Sequence, residues 1–248
     1  MLDATNLSLQ LYTVRAAMKD DLDRTLERIA ELGYQLVEPY SFVTFAGLAD
    51  SLTRHGLSAP TAHMGLLGAD LGPIFEAAAR IGIETVIAPS SDRGSWSSAA
   101  YVTSVADELN AAAEKAAGYG LTVGYHNHWW ELEERLGGKH GLEVLVENLA
   151  PEVVLEVDTY WAHVGGADVP ALLGRLGDRV AALHIKDGDG SRDNTNQVAV
   201  GSGVIPVWDF IKASPSMKYG VVELDDTSGD VFEAVGDSLS YLLAGKDA

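Results

Sequence analysis

Hydrophobic and polar positions along this chain repeat one unit: an amphipathic helix, a small-residue stop, then a short apolar run rich in β-branched residues. Leu22, Leu26, Ile29 and Leu32 share one helical face behind Asp20 and Asp21, which stand where caps belong, and Gly33 follows as a stop. The run LVEPY comes next. The pattern returns as a helix over 48–55 before SAPTAHM, and as PIFEAAARIG before TVIAPS. A long Ala-rich helix over about 97–117 precedes LTVGYHNH. GLEVLVENLA leads to VVLEVD, VPALLGRLG to VAALHIKD, and VWDFIKAS to YGVVELDD. A last helix over 231–243 has no run after it. With LSLQLYT at the start, the count is eight runs, each followed by a helix.

Strands alternating with helices predict a parallel sheet with right-handed crossovers. The runs are apolar at successive positions, as in strands covered on both faces. Eight units in 248 residues predict a single-domain (β/α)8 TIM barrel over 1–248, with its active site at the C-terminal ends of the strands. A doubly wound open sheet is the competing arrangement, weakened because no strand is followed by a G-x-G-x-x-G loop. The segment GDGSRDNTNQVAVGSG, 188–203, is polar and glycine-rich and is expected to be a long loop beside the site.

Charge narrows the partners. Seventeen basic residues against thirty-six acidic ones leave a net charge of −19. Nucleic-acid affinity comes mostly from Lys and Arg neutralising phosphates, so no nucleic-acid partner is expected, nor an anionic membrane surface. No apolar run reaches the length of a membrane span, and MLDATNLSLQ lacks the basic start and apolar stretch of a secretory signal, so a cytoplasmic location is expected. There are no cysteines. Any metal must therefore sit on His, Asp and Glu, which suits Mn, Co, Mg or Zn.

Four consecutive runs end in residues of that kind: His126 and His128, Asp158, His184 and Glu223. In a barrel these ends share one mouth, so Asp158, His184 and Glu223 converge although they are far apart in sequence. Two carboxylates buried together repel unless one takes a proton or a cation joins them, and one divalent ion resolves the conflict. The plainer alternative is that Asp158 caps the following turn, His184 is a hydrogen-bonded core residue, and Glu223 pairs with Lys186. With a period of two, Gly124, His126 and His128 face inward, and Tyr125 and Asn127 outward. His126 is then a fourth ligand or a general base, and His128 a further catalytic candidate. Glu131 either reaches the metal or substrate or is an exposed loop charge. Trp129 and Trp130 would wall a sugar ring, or else pack in the core. Glu38 and His63, ending the second and third runs, are candidates for holding a substrate hydroxyl. Lys186 is a substrate-binding candidate if the strand has ended before it, and is expected to face away from the mouth otherwise.

LQLYTVR, GYQLVEPY, YHNHWWEL, VDTYWAHVGGADV, LHIKDGDG, VGSGV and VVELDD together resemble the xylose-isomerase-like TIM-barrel superfamily of sugar phosphate isomerases and epimerases, in a YHNH-type subgroup, over about 7–243. The resemblance implies metal ligation by Asp158, His184 and Glu223. It also implies a strand-five glutamate within E-x-x-N that exchanges the substrate proton with the strand-eight glutamate. Aligned through Asn127, that position is Gly124 here, so Glu223 stands alone of the pair, with His126, His128 or Glu131 in place of the other. The Y-H-x-H pattern is similar to that of inosose dehydratases. A G-E-G loop common in the family reads Gly201, Ser202, Gly203. The nuclease branch of the superfamily needs a basic groove that this composition lacks.

These features predict a metal-dependent sugar isomerase or epimerase that takes one divalent ion and abstracts a proton α to a carbonyl of a small sugar or polyol. A dehydratase or lyase of a keto-sugar or inosose is the alternative chemistry. A catalytically silent sugar-binding barrel is the alternative of another class. A homo-oligomer is compatible with all three.

Overall fold

Each apolar run becomes one strand of a single parallel sheet: β1 (Leu7–Gln10), β2 (Leu36–Glu38), β3 (Thr61–His63), β4 (Thr85–Ala88), β5 (Thr122–His126), β6 (Val154–Asp158), β7 (Val180–Ile185) and β8 (Tyr219–Val222). The computed structural model describes residues 2–245. The strand order is β2-β1-β8-β7-β6-β5-β4-β3, and every hydrogen-bonded pair is parallel. The remaining seam, β2 against β3, is held by the isolated parallel bridges Leu36↔Ser58 and Tyr40↔His63. Pro39 and Pro60 flank this seam and have no N–H to give, which interrupts a regular ladder. Val37 N still donates to Ser58 O at 2.9 Å and His63 N to Pro39 O at 2.8 Å, so the barrel closes.

Outward positions of the strands, among them Leu7, Leu9, Val37, Ala62, Val123, Val157 and Leu183, are buried completely under the helices. Leu26 and Ile29 of the helix Leu22–Glu31 meet them from outside, also without exposure. Each such aliphatic side chain contributes about 1.5–3 kcal/mol by leaving water. This two-sided burial explains why the runs show no polar alternation until they reach the mouth. The helices begin on acceptor side chains: Asp21 accepts from Arg24 N, Asp70 from Gly72 N, Ser98 from Tyr101 N and Asp168 from Ala171 N. Asp20 plays no such part, because it ends a separate short helix, Arg15–Asp20.

The 188–203 segment is more structured than a loop. Asp187–Gly188 pairs antiparallel with Gln197–Val198. The Asp187 carboxylate gathers the backbone N–H groups of Gly188, Gly201, Gly203 and Ile205 at 2.8 to 3.0 Å. A Cβ on Gly203 would lie 2.2 Å from Asp187 Oδ1, so only glycine lets the chain pass so close to that carboxylate. Between β5 and the helix Gly141–Asn148 the chain inserts a short helix, Trp130–Glu133, and a pair of two-residue strands. Among the described residues, no helix is long and apolar enough to cross a membrane.

Candidate active site and metal centre

The inward period of two brings Glu38, His63, His126, Glu156, Asp158, His184 and Glu223 into one buried group at the C-terminal ends of the strands. They lie in two layers. In the inner layer, Glu156 Oε2 is met by His63 Nε2 at 2.5 Å, His184 Nε2 at 2.9 Å and His126 Nδ1 at 3.1 Å. Glu38 Oε1 joins it, accepting from Gln10 Nε2 at 2.7 Å and His184 Nε2 at 2.9 Å. In the outer layer, His184 Nδ1 is 2.8 Å from Glu223 Oε2, and His126 Nε2 is 3.7 Å from Asp158 Oδ2. The rings of His126 and His184 stand between the layers, each offering one nitrogen to each side.

Burial sets the charges of this group, and the neighbours then sort them. It pushes the Glu38 carboxyl up, reinforced by the Glu156 charge. Burial acts the same way on Glu156, but the His184 and His63 charges outweigh it and hold Glu156 well below the usual carboxylate range. Burial works against a charge on His184 too, yet Glu156 and Glu223 raise it well above an ordinary histidine. His126 goes the other way: burial, then the His184 charge, push it down to about 3, so it is a neutral imidazole. Asp158 is raised to about 6, by burial first, against the pull of Lys186 and His184.

Lys186 is the protein's own cation in the outer layer. Its Nζ lies 2.9 Å from Asp158 Oδ2, 2.7 Å from Glu223 Oε2 and 2.7 Å from Asp225 Oδ2. Of the two readings of Lys186, the structure meets the one in which the strand ends before it: β7 ends at Ile185, and Lys186, two positions after His184, stays on the mouth side. Asp225 is fixed from the 188–203 segment, where Gln197 Nε2 donates to Asp225 Oδ2 and Gln197 Oε1 accepts from Asp225 N.

The donor set suits a divalent cation. Four ligand atoms from His126, Asp158, His184 and Glu223 lie within 4.8 Å of one another, and so do four from His63, His126, Glu156 and His184. Asp158 uses its two oxygens differently: Oδ1 caps the next helix by accepting from Trp161 N at 2.8 Å, while Oδ2 accepts no hydrogen bond among the described residues. The Lys186 ammonium is near Oδ2 but off the direction of a hydrogen bond, so their contact is one of charge. Asp158 Oδ2 thus faces His126 Nε2, one acceptor against another, at a separation that two ligands of one ion adopt. The capping role and the Glu223–Lys186 pair of the plainer alternative are both present, beside a mouth-side set open to a cation.

Above this layer is a cavity of about 250 Å³, lined by Tyr12, Tyr40, Ser41, His63, Met64, Gly65, Pro89, Ser90, His126, His128, Glu223 and Asp225. Its aromatic wall is Tyr12 against Tyr40, edge to face at 5.2 Å. Trp129 and Trp130 are not part of that lining. Trp130 stacks on His128 and Trp129 lies tilted against Trp161, because the chain turns into the Trp130–Glu133 helix directly after β5. His128 lines the cavity, its ring parallel to Trp130 at 4.2 Å and its Nδ1 without a partner among the described residues, and burial lowers its basicity well below the usual value. Glu131 is fully buried behind it, accepting from Tyr125 Oη at 2.9 Å and His128 N at 2.8 Å, which overturns its reading as an exposed loop charge. Burial raises Glu131 to about 8. Gly124 sits mid-strand, where a Cβ would meet Ile87 and Val154 at 3.1 and 3.4 Å, and the residue β5 presents at the ring is His126.

Sequence reasoning missed Glu156, Asp225 and Tyr40. Glu156 had a usable signal, since it precedes Asp158 by two positions on one strand and so shares its face. Asp225 stands beyond the end of β8, and Tyr40 beyond β2, where no period applies.

The family described as xylose isomerase-like TIM barrel matches residues 19–226 of this chain. No protein of curated function matches it. Among solved structures, a sugar phosphate isomerase/epimerase from Parabacteroides distasonis superposes with a TM-score of 0.82 at 21% identity, covering 97% of this chain and 94% of that one. A probable 3-DHS dehydratase, AsbF, from Bacillus anthracis superposes with a TM-score of 0.73 at 14% identity, covering 96% and 98%. The IolI protein, whose structure contains a zinc atom, gives 0.68 at 15% identity, covering 96% and 95%. At these identities the likeness establishes the fold.

Proposed function

The chain belongs to the xylose isomerase-like TIM-barrel family, and on that footing we propose that it is a divalent-metal-dependent isomerase or epimerase of a small unphosphorylated sugar or polyol. The observation that carries this reading is the mouth-side set of His126, Asp158, His184 and Glu223 opening on a cavity of about 250 Å³. A divalent ion held there would polarise a substrate carbonyl and stabilise the negative charge that forms when the α-proton leaves. Zinc in the IolI structure supports that class of ion.

The residues of the chain supply the rest. Glu223 lines the cavity and is ionised: burial opposes its charge, but Lys186 and His184 hold it well below the usual range. It takes the proton from the carbon next to the carbonyl, a step worth about 10²–10⁴-fold in rate when the base is positioned. His128, on the same cavity, is placed to hydrogen-bond a substrate hydroxyl, and Glu223 gives the proton it took back to carbon or to a leaving hydroxyl. Lys186 stays charged and steadies oxygen charge beside Asp158. Lys186 is already held by three carboxylates, and Arg15 leans on the carbonyl and ring of Tyr12, which favours a substrate without a phosphate. Tyr12 and Tyr40 offer a wall for a sugar ring, with Glu38 and His63 below it.

Elimination of water is the second reading, favoured by Gly124, which leaves the ring with no strand-five glutamate. Solvent-deuterium exchange into a panel of ketoses and inososes, followed by product analysis, tests both. We expect deuterium α to the carbonyl, and loss of both exchange and metal binding in Asp158→Ala. Exchange that survives this substitution would overturn the ligand assignment. A protein that takes up no divalent ion and labels no substrate would be a sugar-binding barrel without catalysis.

A further inference from the structure

Glu156 belongs to neither the mouth cavity nor the mouth-side ligand set, yet three histidines converge on one of its oxygens. An ionised carboxylate only accepts hydrogen bonds. His63 Nε2, His184 Nε2 and His126 Nδ1 must therefore each carry the proton they point at Oε2. For His126, a proton on Nδ1 leaves Nε2 bare, and Nε2 is the nitrogen that faces Asp158. For His184, Nε2 is committed twice, to Glu156 and to Glu38 Oε1, both at 2.9 Å. That leaves Nδ1 as the nitrogen turned toward Glu223 and the mouth.

Asp158 competes for the same His126 proton. Were it placed on Nε2, it would face Asp158 Oδ2, and the nitrogen would be closed to any ligand. Glu156 prevails by proximity, at 3.1 Å from Nδ1 against 3.7 Å between Nε2 and Asp158 Oδ2. It is also well anchored, being 1% exposed and two positions before Asp158 on the same strand. One strand thus carries both the ligand and the group that prepares its neighbour.

We propose that Glu156 is a positioning residue that fixes His126 with its inner nitrogen protonated, so that its bare mouth-side nitrogen can bind a divalent ion, and that holds His184 by Nε2, so that Nδ1 is the nitrogen a divalent ion would take in place of the proton shared with Glu223. This rests on the metal site proposed above. Carboxylates in the row behind metal-binding histidines act in this way, and their loss typically weakens metal affinity about 10–100-fold.

The test reads ring nitrogens directly, by ¹⁵N NMR of the full chain in its ion-free form, with Mn²⁺ affinity by calorimetry alongside. In the parent protein His126 should carry its proton on Nδ1 alone. Glu156→Met, which keeps the volume and removes the acceptor, should give His126 mixed tautomers and raise the Mn²⁺ dissociation constant about 10–100-fold. Glu156→Gln, which retains one acceptor oxygen, should fall between Glu156→Met and the parent. Asp158→Ala should leave the His126 tautomer unchanged while abolishing ion binding. A parent His126 protonated on Nε2 would overturn the proposal whether or not Glu156→Met folds. So would a folded Glu156→Met with the parent tautomer and an affinity within twofold of it. A parent that binds no divalent ion defeats the functional reading, while the ring spectra still decide the role of Glu156.

Discussion

Lys186 changes how the charges at the mouth add up. From the sequence, Asp158 and Glu223 in one buried place demanded a cation, and a divalent ion was the natural candidate. In the folded protein the Lys186 ammonium lies within 3 Å of both carboxylates and supplies part of the positive charge they need. Lys186 and a divalent ion then repel each other across Asp158 and Glu223. Replacing Lys186 by Met should tighten Mn²⁺ binding about tenfold, about 1.4 kcal/mol, while lowering the melting temperature of the ion-free protein. Calorimetry and thermal melts would measure the two effects. Weaker ion binding in the variant would instead make Lys186 part of the support of the site.

At the scale of elements, the 188–203 segment is shaped by a single carboxylate. Asp187 turns a stretch with few apolar residues into an ordered arm by collecting four backbone N–H groups, and that arm fixes Asp225 through Gln197. Gly203→Ala would drive a methyl group into Asp187 Oδ1 and the Gly188 backbone. We expect a loss of about 1–3 kcal/mol in denaturant unfolding, with faster tryptic cleavage at Arg192 as the arm loosens. An unchanged midpoint and cleavage rate would mean that the arm does not depend on this contact. Polar, glycine-rich composition marked the segment as irregular, and it could not show that one aspartate would organise it.

For the molecule as a whole, Glu131 links stability to pH. Its carboxyl is buried and raised to about 8, against 4.5 when exposed. A group raised in the folded state contributes stability that is complete below its unfolded pKa and is lost as pH rises through its folded pKa, here from about 4.5 to about 8. Glu131→Gln imitates the neutral acid, since its amide can accept from His128 N and donate to Tyr125 Oη. The variant should match the parent near the bottom of that window and be more stable near its top, in urea unfolding over a pH series. If the difference between the two proteins does not change with pH, Glu131 titrates like an exposed acid.

The apolar periodicity by itself determined the eight alternating units, the parallel barrel, and the strand ends at which chemistry would gather, because two-sided burial leaves its mark in every strand. It placed His126, Asp158, His184 and Glu223 at one mouth for the same reason. Only the tertiary structure decided which atoms face which: the inner layer around Glu156, the inward Lys186, Glu131 buried behind His128, and a cavity wall of Tyr12 and Tyr40 instead of Trp129 and Trp130. These depend on contacts between strands distant in sequence and on turns just beyond their ends, where no local period reaches and the balance of burial against charge is settled only once the barrel has closed.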